Sequence, residues 1–408
     1  MVYLKMSFLI MFFVLTFSRP ASTSHYVGGK TNLSKEGVDN MEIERQLIAL
    51  NKKPVKTIIT EVGDVIDCID IYKQPAFDNP LLKDHKIQMR TRSIPGETRS
   101  EKVSTSSIFH GLQRERCPLG TIPIRRITRE HLVFAKKVKQ IHANGFPNIR
   151  YHSVYAEEII SGKFIRQKKY YGGSASMSIH NLTVDHDQFS TSQIWIANAS
   201  SPEINGIRVG IMKNPSLVGG NLPRLFGFWI AANGHQVAGC YNMACQGFIQ
   251  THPTVFIDQP FVHPSLYGQM SNDVHVKAPG DNGDWWLRMG ATAETSEDVG
   301  YWPNEIFTLL RNSASDVRYG GYVGSMAQAS TPPMGNGFLP QLHDYDTTAY
   351  MRLMKYVNEA GDDVDLDPRL VRINKGTVSQ CYNIMFAGNI GGAWKNTIAY
   401  GGPGGFCQ

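Results

Sequence analysis

The pattern of hydrophobic and polar positions changes character once along the chain. Before residue 151, two stretches place apolar residues at helical spacing, and Lys56–Tyr72 alternates around Gly63 as a pair of strands does. From about Tyr151 onward, short aromatic and β-branched runs recur between clusters of Gly, Pro, Asn and Asp. The pattern therefore predicts a smaller α+β region followed by a larger, mainly β body.

Two helices are predicted in the front region. The first lies within Ser34–Lys53, and Pro54 ends it because proline cannot continue a helix. The second, Thr128–Asn144, begins with a capping threonine and stops before Gly145. The apolar stripes of the two helices consist of Met41, Leu47, Ile48 and Leu50 in the first and of Leu132, Ala135, Val138 and Ile141 in the second.

The rest of the chain predicts the domain organisation. Residues 74–116 lose periodicity and are polar, which predicts a long loop with a mobile segment near residues 90–116. Many short strands with turn signals predict an antiparallel β-sandwich or barrel over residues 156–408, preceded by the smaller α+β domain over residues 25–155. The strand candidates are Gly172–Ile179, Ser192–Ala197, Gly206–Met212, Leu225–Ala231, Asp284–Met289, Val317–Val323 and the Gln380–Ile390 region.

The N-terminus predicts a secretory signal peptide over residues 1–24. Lys5 precedes the mostly apolar run Met6–Phe17, and small residues follow at Ala21–Ser24. This run is too short to span a bilayer, and no other stretch reaches the length of a membrane-spanning helix. We therefore expect a secreted protein without a membrane anchor.

The six cysteines fit the same compartment, where an even count favours disulfides over a free nucleophilic thiol. Cys240 and Cys245 close a short loop after a predicted hairpin turn at Asn233-Gly234, without a second Cys/His pair at zinc spacing. Pairing within each apparent module favours the disulfides Cys68–Cys117, Cys240–Cys245 and Cys381–Cys407. Three sequons predict glycosylation at Asn32, Asn181 and Asn198.

Charge excludes one class of partner. The basic excess lies before residue 161, and the remainder is slightly acidic. A basic front region could dock on an acidic body, although such small values are better explained by two solvated surfaces of mixed charge. Because no stripe of alternating basic and aromatic residues is present, nucleic acid is not an expected partner.

The sequence lacks the common catalytic and metal-binding motifs. There is no G-x-S-x-G, H-E-x-x-H, C-x-x-C or phosphate-binding glycine loop, and His235, His252, His263 and His343 are scattered. The acidic run 362–367 lacks the glycine and terminal glutamate of an EF-hand loop. We therefore expect no cofactor or metal. The carboxylates left as candidates on the β body are Glu203, Glu294, Glu297, Asp298 and Glu305.

Several segments resemble the neprosin family of plant secreted proteins. They occur in family order and include Gly63-Asp-Val-Ile-Asp-Cys, Cys117-Pro-Leu-Gly-Thr-Ile-Pro-Ile, Ser192-Gln-Ile-Trp, Gly239-Cys-Tyr-Asn, Val299-Gly-Tyr-Trp-Pro and Thr331-Pro-Pro-Met-Gly-Asn-Gly. The resemblance implies an N-terminal activation peptide, or propeptide, over residues 25–155 and a β-sandwich body. It also implies a metal-independent glutamic endopeptidase that cuts after proline in acid.

Both catalytic glutamates that the resemblance implies are substituted here. Anchored on Gly206 and Val209, the first family position falls on Ile204, and Glu203 stands one residue early. Adjacent strand residues point to opposite faces, so Glu203 replaces Ile204 only through a bulge or a register slip. The second family position falls on Tyr322. Isoleucine has no ionisable group, and a tyrosine hydroxyl does not ionise in acid.

Two hypotheses follow from the resemblance and from the two substituted positions. The first is an acid-acting endopeptidase made as a zymogen, with Glu203 or another acid such as Glu294 as the catalytic carboxylate. The second is an inactive β-sandwich that binds peptide or cell-wall material. In both, the expected partners are proline-containing peptides and the protein's own propeptide, and the expected location is the apoplast or cell wall.

Overall fold

The structure is a computed structural model of the chain. It describes residues 35–91, 115–143, 152–161, 169–218, 220, 222–233, 237–268, 273–281, 283–325, 330–369, 371–375 and 380–407. The predicted signal peptide, Asn32 and most of the predicted mobile segment lie outside these ranges. The chain divides into two units, Met1–Met41 and Glu42–Gln408, and only the start of the first helix belongs to the described part of the first unit.

The front domain is α+β, as the periodicity predicts. Its three strands form an antiparallel sheet in the order β1-β2-β3, and three short 3-10 turns follow β2 between Ile71 and Leu82. Ile58, Ile66 and Cys68 pack from this sheet against Phe256 of the body. The elements are α1 (Lys35–Leu50), β1 (Lys56–Ile59), β2 (Val65–Asp70), β3 (Thr121–Arg125) and α2 (Arg129–Ala143).

The body is built from two antiparallel sheets. One has seven strands in the order β17-β4-β14-β6-β7-β8-β9, and the other has nine, in the order β10-β13-β12-β11-β5-β15-β19-β18 with β16 paired to β15. The elements are β4 (His152–Ser161), β5 (Gly172–Ser178), β6 (Gln188–Ser200), β7 (Glu203–Lys213), α3 (Pro215–Val218), β8 (Arg224–Asn233), β9 (Val237–Tyr241), β10 (Ile249–Gln250), β11 (Asp273–Asp281), β12 (Asp284–Gly290), β13 (Glu297–Trp302), β14 (Asp316–Ser325), β15 (Tyr350–Val357), β16 (Asp363–Asp365), β17 (Val371–Lys375), β18 (Asn383–Asn389) and β19 (Asn396–Gly401). This is the predicted mainly β fold, an antiparallel sandwich behind a smaller α+β domain.

The sandwich core follows from the period-two alternation of its strands. Ile207, Val209 and Ile211 of β7 are buried in the main core cluster, which also contains Met177 of β5 and Leu287 of β12. The intervening residues of β7 therefore point to the other side of the seven-stranded sheet. We call that side the outer face, because it faces away from the nine-stranded sheet.

Strand β4 belongs to the seven-stranded sheet, where it pairs with β14 on one side and β17 on the other. The expected domain boundary at residues 155/156 falls inside this strand. That boundary stays a prediction, but the strand itself is part of the body's sheet.

Three disulfides join Cys68 to Cys117, Cys240 to Cys245 and Cys381 to Cys407, the pairs that the spacing favours. The first ties β2 to the segment before β3. Within the described ranges, no helix combines the length and the apolar character needed to cross a bilayer.

The predicted loop over residues 74–116 is only partly a loop. Pro75–Asp78 and Pro80–Leu82 form 3-10 turns, and the following residues are held against β13. The His85 ring bonds to Glu305 Oε1 at 3.0 Å and Tyr301 OH at 2.8 Å, and Thr91 N donates to Asp298 Oδ2 at 2.9 Å. The polar composition indicated exposure, whereas these polar groups contact the body.

The buried residues of the two helices differ in part from the predicted apolar stripes. Ile48 is 76% exposed although it was assigned to the buried side of α1, while Ile43 and Leu50 are buried. In α2, Thr128 caps the N-terminus by accepting from the His131 backbone N at 3.4 Å, as predicted. Phe134, which the predicted stripe omitted, is buried together with Leu132 and Ala135.

The two remaining sequons lie in different surroundings. Asn181 is exposed, and its Oδ1 accepts a hydrogen bond from Lys213 Nζ at 2.9 Å. The Asn198 amide is half-buried and donates to the carbonyls of Leu309 and Ser313 at 3.4 and 2.8 Å. Glycosylation at either site stays a prediction, and the free amide nitrogen favours Asn181.

A buried ionic cluster joins the front domain to the body. Asp64 accepts from Arg125 Nε at 2.9 Å and from Arg224 Nη1 and Nη2 at 2.8 and 2.9 Å. Asp258 accepts from Arg125 Nη1 at 2.9 Å. Burial raises the pKa of Asp258, and the two arginines oppose this shift. Because each charge has a partner of opposite sign, the interface can bury all four residues.

Replacing Arg224 with alanine should therefore destabilise the protein strongly. The change leaves Asp64 and Asp258 buried without one of their partners, which costs roughly 3–5 kcal/mol. Urea unfolding of the full chain measures the loss. The matched control is Arg369→Ala, which removes an exposed pair with Asp367 and should change the stability little, because exposed ion pairs contribute weakly. Equal losses in the two variants would contradict a supporting role for the ionic cluster.

Candidate active site

The outer face of the seven-stranded sheet is the candidate site, because both family positions lie on it. Strands β14, β6, β7 and β8 pair without a break across this region. Their outward-facing rows on β6–β8 and β14 include Thr191, Gln193, Trp195 and Ala197; Ile204, Gly206, Arg208, Gly210 and Met212; Arg224, Phe226, Phe228, Ile230 and Ala232; and Asp316, Arg318, Gly320, Tyr322 and Gly324. These rows contain three arginines and one carboxylate, Asp316, which is buried and accepts a hydrogen bond from Ser315 Oγ at 2.7 Å.

One cross-strand row runs through five strands and combines two arginines with three aromatic rings. Register pairs Arg318 with Trp195, Trp195 with Arg208, Arg208 with Phe228, and Phe228 with Tyr241. The Arg208 Cζ atom lies 4.0 Å from the Trp195 ring centroid, and the Arg318 Cζ atom lies 4.3 Å from the same centroid. Such stacking stabilises a guanidinium over an aromatic face. We call these five residues the cation–aromatic row.

A glycine makes room for this stacking on β7. A Cβ atom at Gly206 would lie 2.9 Å from Trp195 Nε1, closer than side chains tolerate. The absence of a side chain lets the indole lie over the strand. The local sequence Asn205-Gly-Ile-Arg thus positions both the ring and the Arg208 guanidinium that stacks on it.

Arg208 is the central group of the outer face. It is 3% exposed, and its Cζ atom also lies 4.8 Å from the Tyr322 ring and 5.8 Å from the Phe228 ring. Its Nε and Nη1 atoms are buried without a hydrogen-bond partner among the described residues. The rings thus contact the guanidinium faces while in-plane donors stay unsatisfied, a costly arrangement for a buried polar group.

Gln193 lies beside Tyr322 and is the site residue that sequence reasoning missed. It pairs with Gly320, two positions from Tyr322 on the neighbouring strand, so the two are diagonal neighbours about 7–8 Å apart. Gln193 is buried, and Thr191 Oγ1 bonds its Oε1 at 3.2 Å and the Tyr322 carbonyl at 3.0 Å. The Ser192-Gln-Ile-Trp segment had marked it only as part of a family resemblance.

Ile204 and Tyr322 share the outer face but do not face each other. On β6, Ala199 pairs with Ile204 and Thr191 pairs with Tyr322. Eight residues separate these two partners on one strand, which corresponds to roughly 26 Å along it. Two groups at these positions could not share a proton. The facing pair expected from the family pattern is therefore not formed by Ile204 and Tyr322.

Glu203 lies on the opposite side of β7 from Ile204. The pairing of β7 with β6 runs unbroken from Glu203 to Lys213, without the bulge that would turn Glu203 outward. The next residue on its side, Asn205, is buried and accepts from the backbone N atoms of Thr308 and Leu309. The structure does not bring Glu203 to the cation–aromatic row.

The other candidate carboxylates belong to the nine-stranded sheet. Glu297 and Asp298 lie on β13, Glu294 lies in the turn before that strand, and Glu305 follows it. Each has its own interaction: Glu297 pairs with His252, Asp298 with Arg288 and Glu305 with His85, and the pKa of Glu294 is lowered by hydrogen bonds to its own backbone and to Thr292. None is positioned to act with Gln193 or Tyr322.

No metal centre is indicated within the described part of the chain, where no three His, Cys, Asp or Glu side chains cluster. In the acidic run, Asp363 pairs with the buried Lys277 at 2.8 Å, and Asp367 pairs with Arg369. Of the scattered histidines, His235 lies outside the described residues. The candidate chemistry of this protein is therefore that of the outer face.

Helix α2 of the front domain lies on the outer face. Its Phe134 and Ala135 are buried in one apolar cluster with Phe228, Ile230 and Tyr241. The helix thus occupies the end of the cation–aromatic row on β8 and β9. A polypeptide segment of the chain itself already uses this surface.

These features define a class of two-part, disulfide-containing β protein, in which a front domain places a helix on the outer face of a β-sandwich. The model of the family described as Neprosin matches residues 186–403, and that of the Neprosin activation peptide matches residues 57–163. The chain belongs to the neprosin family.

Three solved structures are similar over much of the chain. Scytalido-glutamic peptidase with a peptide-based transition state analog has 8% identity and a TM-score of 0.33 over 62% of this chain and 98% of that one. SCP-B, an Eqolisin-family peptidase in complex with the tripeptide Ala-Ile-His, has 8% identity and a TM-score of 0.30, and the match covers 61% of this chain and 98% of that one. A functionally unknown Saccharomyces cerevisiae protein has 10% identity and a TM-score of 0.20, and the match covers 67% of this chain and 90% of that one. These scores are too low to transfer site geometry.

His131 on α2 makes the docking of this helix sensitive to acid. Burial and the nearby Arg125 and Arg224 lower its pKa from 6.5 to about 4, while Glu130 and Asp64 oppose the shift. Because the unfolded state binds the proton more readily, stability is complete above about pH 6.5 and is lost as the pH falls toward 4. The loss reaches about 3 kcal/mol.

Replacing His131 with glutamine should flatten this dependence. Glutamine can accept the bond from Thr128 N but does not titrate. The measurement is the free energy of unfolding of the full chain in urea at pH 7, 5.5 and 4. His186→Gln, at an exposed position, is the control and should keep the wild-type slope. The same slope in all three proteins would overturn the assignment to His131.

Proposed function

We propose that this protein is a secreted, peptide-binding member of the neprosin family that does not hydrolyse peptides through a pair of carboxylates. The observation that carries the proposal is the burial of Arg208 at the centre of the outer face, stacked on Trp195 and Tyr322. Secretion is supported by the signal-peptide pattern and by the three disulfides.

The two arginines oppose glutamic-peptidase chemistry on this face. That chemistry needs one carboxylate to activate water and one carboxyl group that is still protonated. A neighbouring guanidinium favours the ionised form of a carboxyl group and lowers its pKa. With Arg208 and Arg318 in one row, a carboxyl group beside them would not stay protonated. Arginine itself does not act as a base.

Peptide binding is supported by the lining of the face. Trp195, Phe228 and Tyr241 offer large, flat surfaces in one row, which is typical of recognition sites. Helix α2 already packs there through Phe134. We therefore assign the front domain the role of a propeptide that covers the binding face until it is removed.

An acid-acting endopeptidase that cuts after proline is the second candidate, because one backbone placement favours it. The register places Glu157 of β4 and Gln193 of β6 on either side of Gly320. Glu157 is therefore the carboxylate to test beside Glu203, which sequence analysis proposed.

The deciding assay first holds the full chain in acid to release the front domain, and then incubates it with a proline-rich protein between pH 3 and 5. We expect no cleavage by the wild-type chain, and unchanged results for Glu203→Gln and Glu157→Gln. Mass spectrometry of the substrate detects products, and a commercial acid protease shows that the substrate can be cut. Cleavage by the wild type that one of the two variants abolishes would replace the proposal with the second candidate.

Strand β4 limits where the chain can be cut to remove the propeptide. This strand bonds to both β14 and β17, so its loss would open two sheet edges. We expect processing between α2 and β4, within residues 144–151, so that β4 stays in the body. N-terminal sequencing of the secreted protein measures this. A mature chain that begins after residue 161, or still begins at residue 25, would contradict it.

A further inference from the structure

We infer that Arg208 is a carboxylate-binding subsite, which recognises an acidic side chain or the C-terminal carboxylate of a peptide bound on the outer face. This inference rests on the proposed peptide-binding function and names the ligand class for it. It starts from an energetic problem: a guanidinium that is 97% buried, as its 3% exposure implies, with no ionic partner in the described residues.

Stacking alone does not resolve this problem. The Cζ atom of Arg208 lies 4.0 Å from the Trp195 ring centroid and 4.8 Å from the Tyr322 ring centroid. Cation–π contacts of this kind offset only part of the desolvation of a buried charge. The buried Nε and Nη1 donors lie in the plane of the group, where rings do not reach them.

A carboxylate supplies what the site lacks. It carries the opposite charge, and its two oxygens match two in-plane N–H donors of arginine in a planar, bidentate arrangement. The same protein shows the difference when the partner is present: Arg224, 2% exposed, donates two bonds to the Asp64 carboxylate. Arg208 is buried almost as deeply as Arg224 but has no carboxylate partner among the described residues.

The rest of the outer face indicates that the acid belongs to a peptide. Arg318 adds a second positive charge on the far side of Trp195, which favours an anionic ligand over a neutral one. Phe228 and Tyr241 extend the row as an apolar surface, on which α2 of the front domain rests through Phe134. A peptide that replaces α2 would lie along this row and reach Arg208 with a carboxylate.

The test is calorimetric titration of the full chain with matched peptides. Because α2 rests on the face, all titrations use the Phe134→Ala background, which removes the helix's aromatic anchor. Four proline-containing peptides of one sequence carry an internal Asp or Asn and end in a carboxylate or an amide. We expect the peptides with a carboxylate to bind about 10–100-fold more tightly than the Asn, amide-ended peptide. Two of the peptides have one carboxylate each, and the one that binds tightly shows whether Arg208 recognises the Asp side chain or the C-terminus.

Arg208→Met is the decisive variant. Methionine fills a similar space without charge, so it should abolish the preference for a carboxylate while binding of the uncharged peptide stays within about threefold. Because it removes a buried charge without an ionic partner, it should leave the unfolding midpoint unchanged or higher. The control, Arg318→Met, should keep most of the preference. If Arg208 only supported the sheet, the midpoint would fall and all peptides would weaken equally.

The outcomes separate the inference from the function on which it rests. Equal binding of charged and uncharged peptides, unaffected by Arg208→Met, would overturn the subsite and leave peptide binding intact. Failure of every peptide to bind would overturn both. Oligogalacturonate serves as a further probe: if it alone bound, through Arg208, the ligand class would be an acidic polysaccharide and the peptide assignment would be wrong.

Discussion

The unbroken antiparallel pairing of β14, β6 and β7 determines which side chains this protein can use. Because successive residues of a strand alternate between faces, one continuous register assigns every residue of these strands either to the core or to the outer face. It directs Ile207 and Val209 inward and Arg208 outward. The same register keeps Glu203 away from the outer face, and no described bulge interrupts β7.

The two buried arginines of the seven-stranded sheet illustrate opposite solutions to one electrostatic problem. Arg224 is neutralised by Asp64 of the front domain, so its burial also fastens that domain to the body. Arg208 lies against Trp195, Tyr322 and Phe228, and these π faces are the contacts of its charge among the residues that the structure describes. Release of the front domain would therefore affect the two sites differently. The first loses a partner, and the second gains access to one.

The position of the front domain connects these electrostatic features with the organisation of a precursor. The ionic cluster includes Arg224 of β8, and α2 packs against the same strand, since Phe134 lies in one apolar cluster with Phe228. Residues 85–91 extend the contact to β13 through His85 and Thr91. The front domain is thus attached by polar and ionic bonds at several points and also by apolar residues such as Ile69, Ile122 and Ile124, which belong to the main core cluster of the body. Helix α2 makes its apolar contact with the outer face.

The sequence by itself determined the mainly β fold, the α+β front domain and the three disulfide pairs, because alternation, turn residues and the grouping of cysteines are local signals, and it indicated the family through the resemblance of several short segments. It also predicted Ile204 and Tyr322 at the positions where that resemblance implies glutamates, and it predicted that Glu203 does not share a face with Ile204. Only the tertiary structure decided that positions 204 and 322 lie far apart, that Gln193 is the neighbour of Tyr322, and that Arg208 is buried between rings. Those facts depend on which residues of separate strands are paired, and cross-strand register joins residues more than a hundred positions apart in the chain.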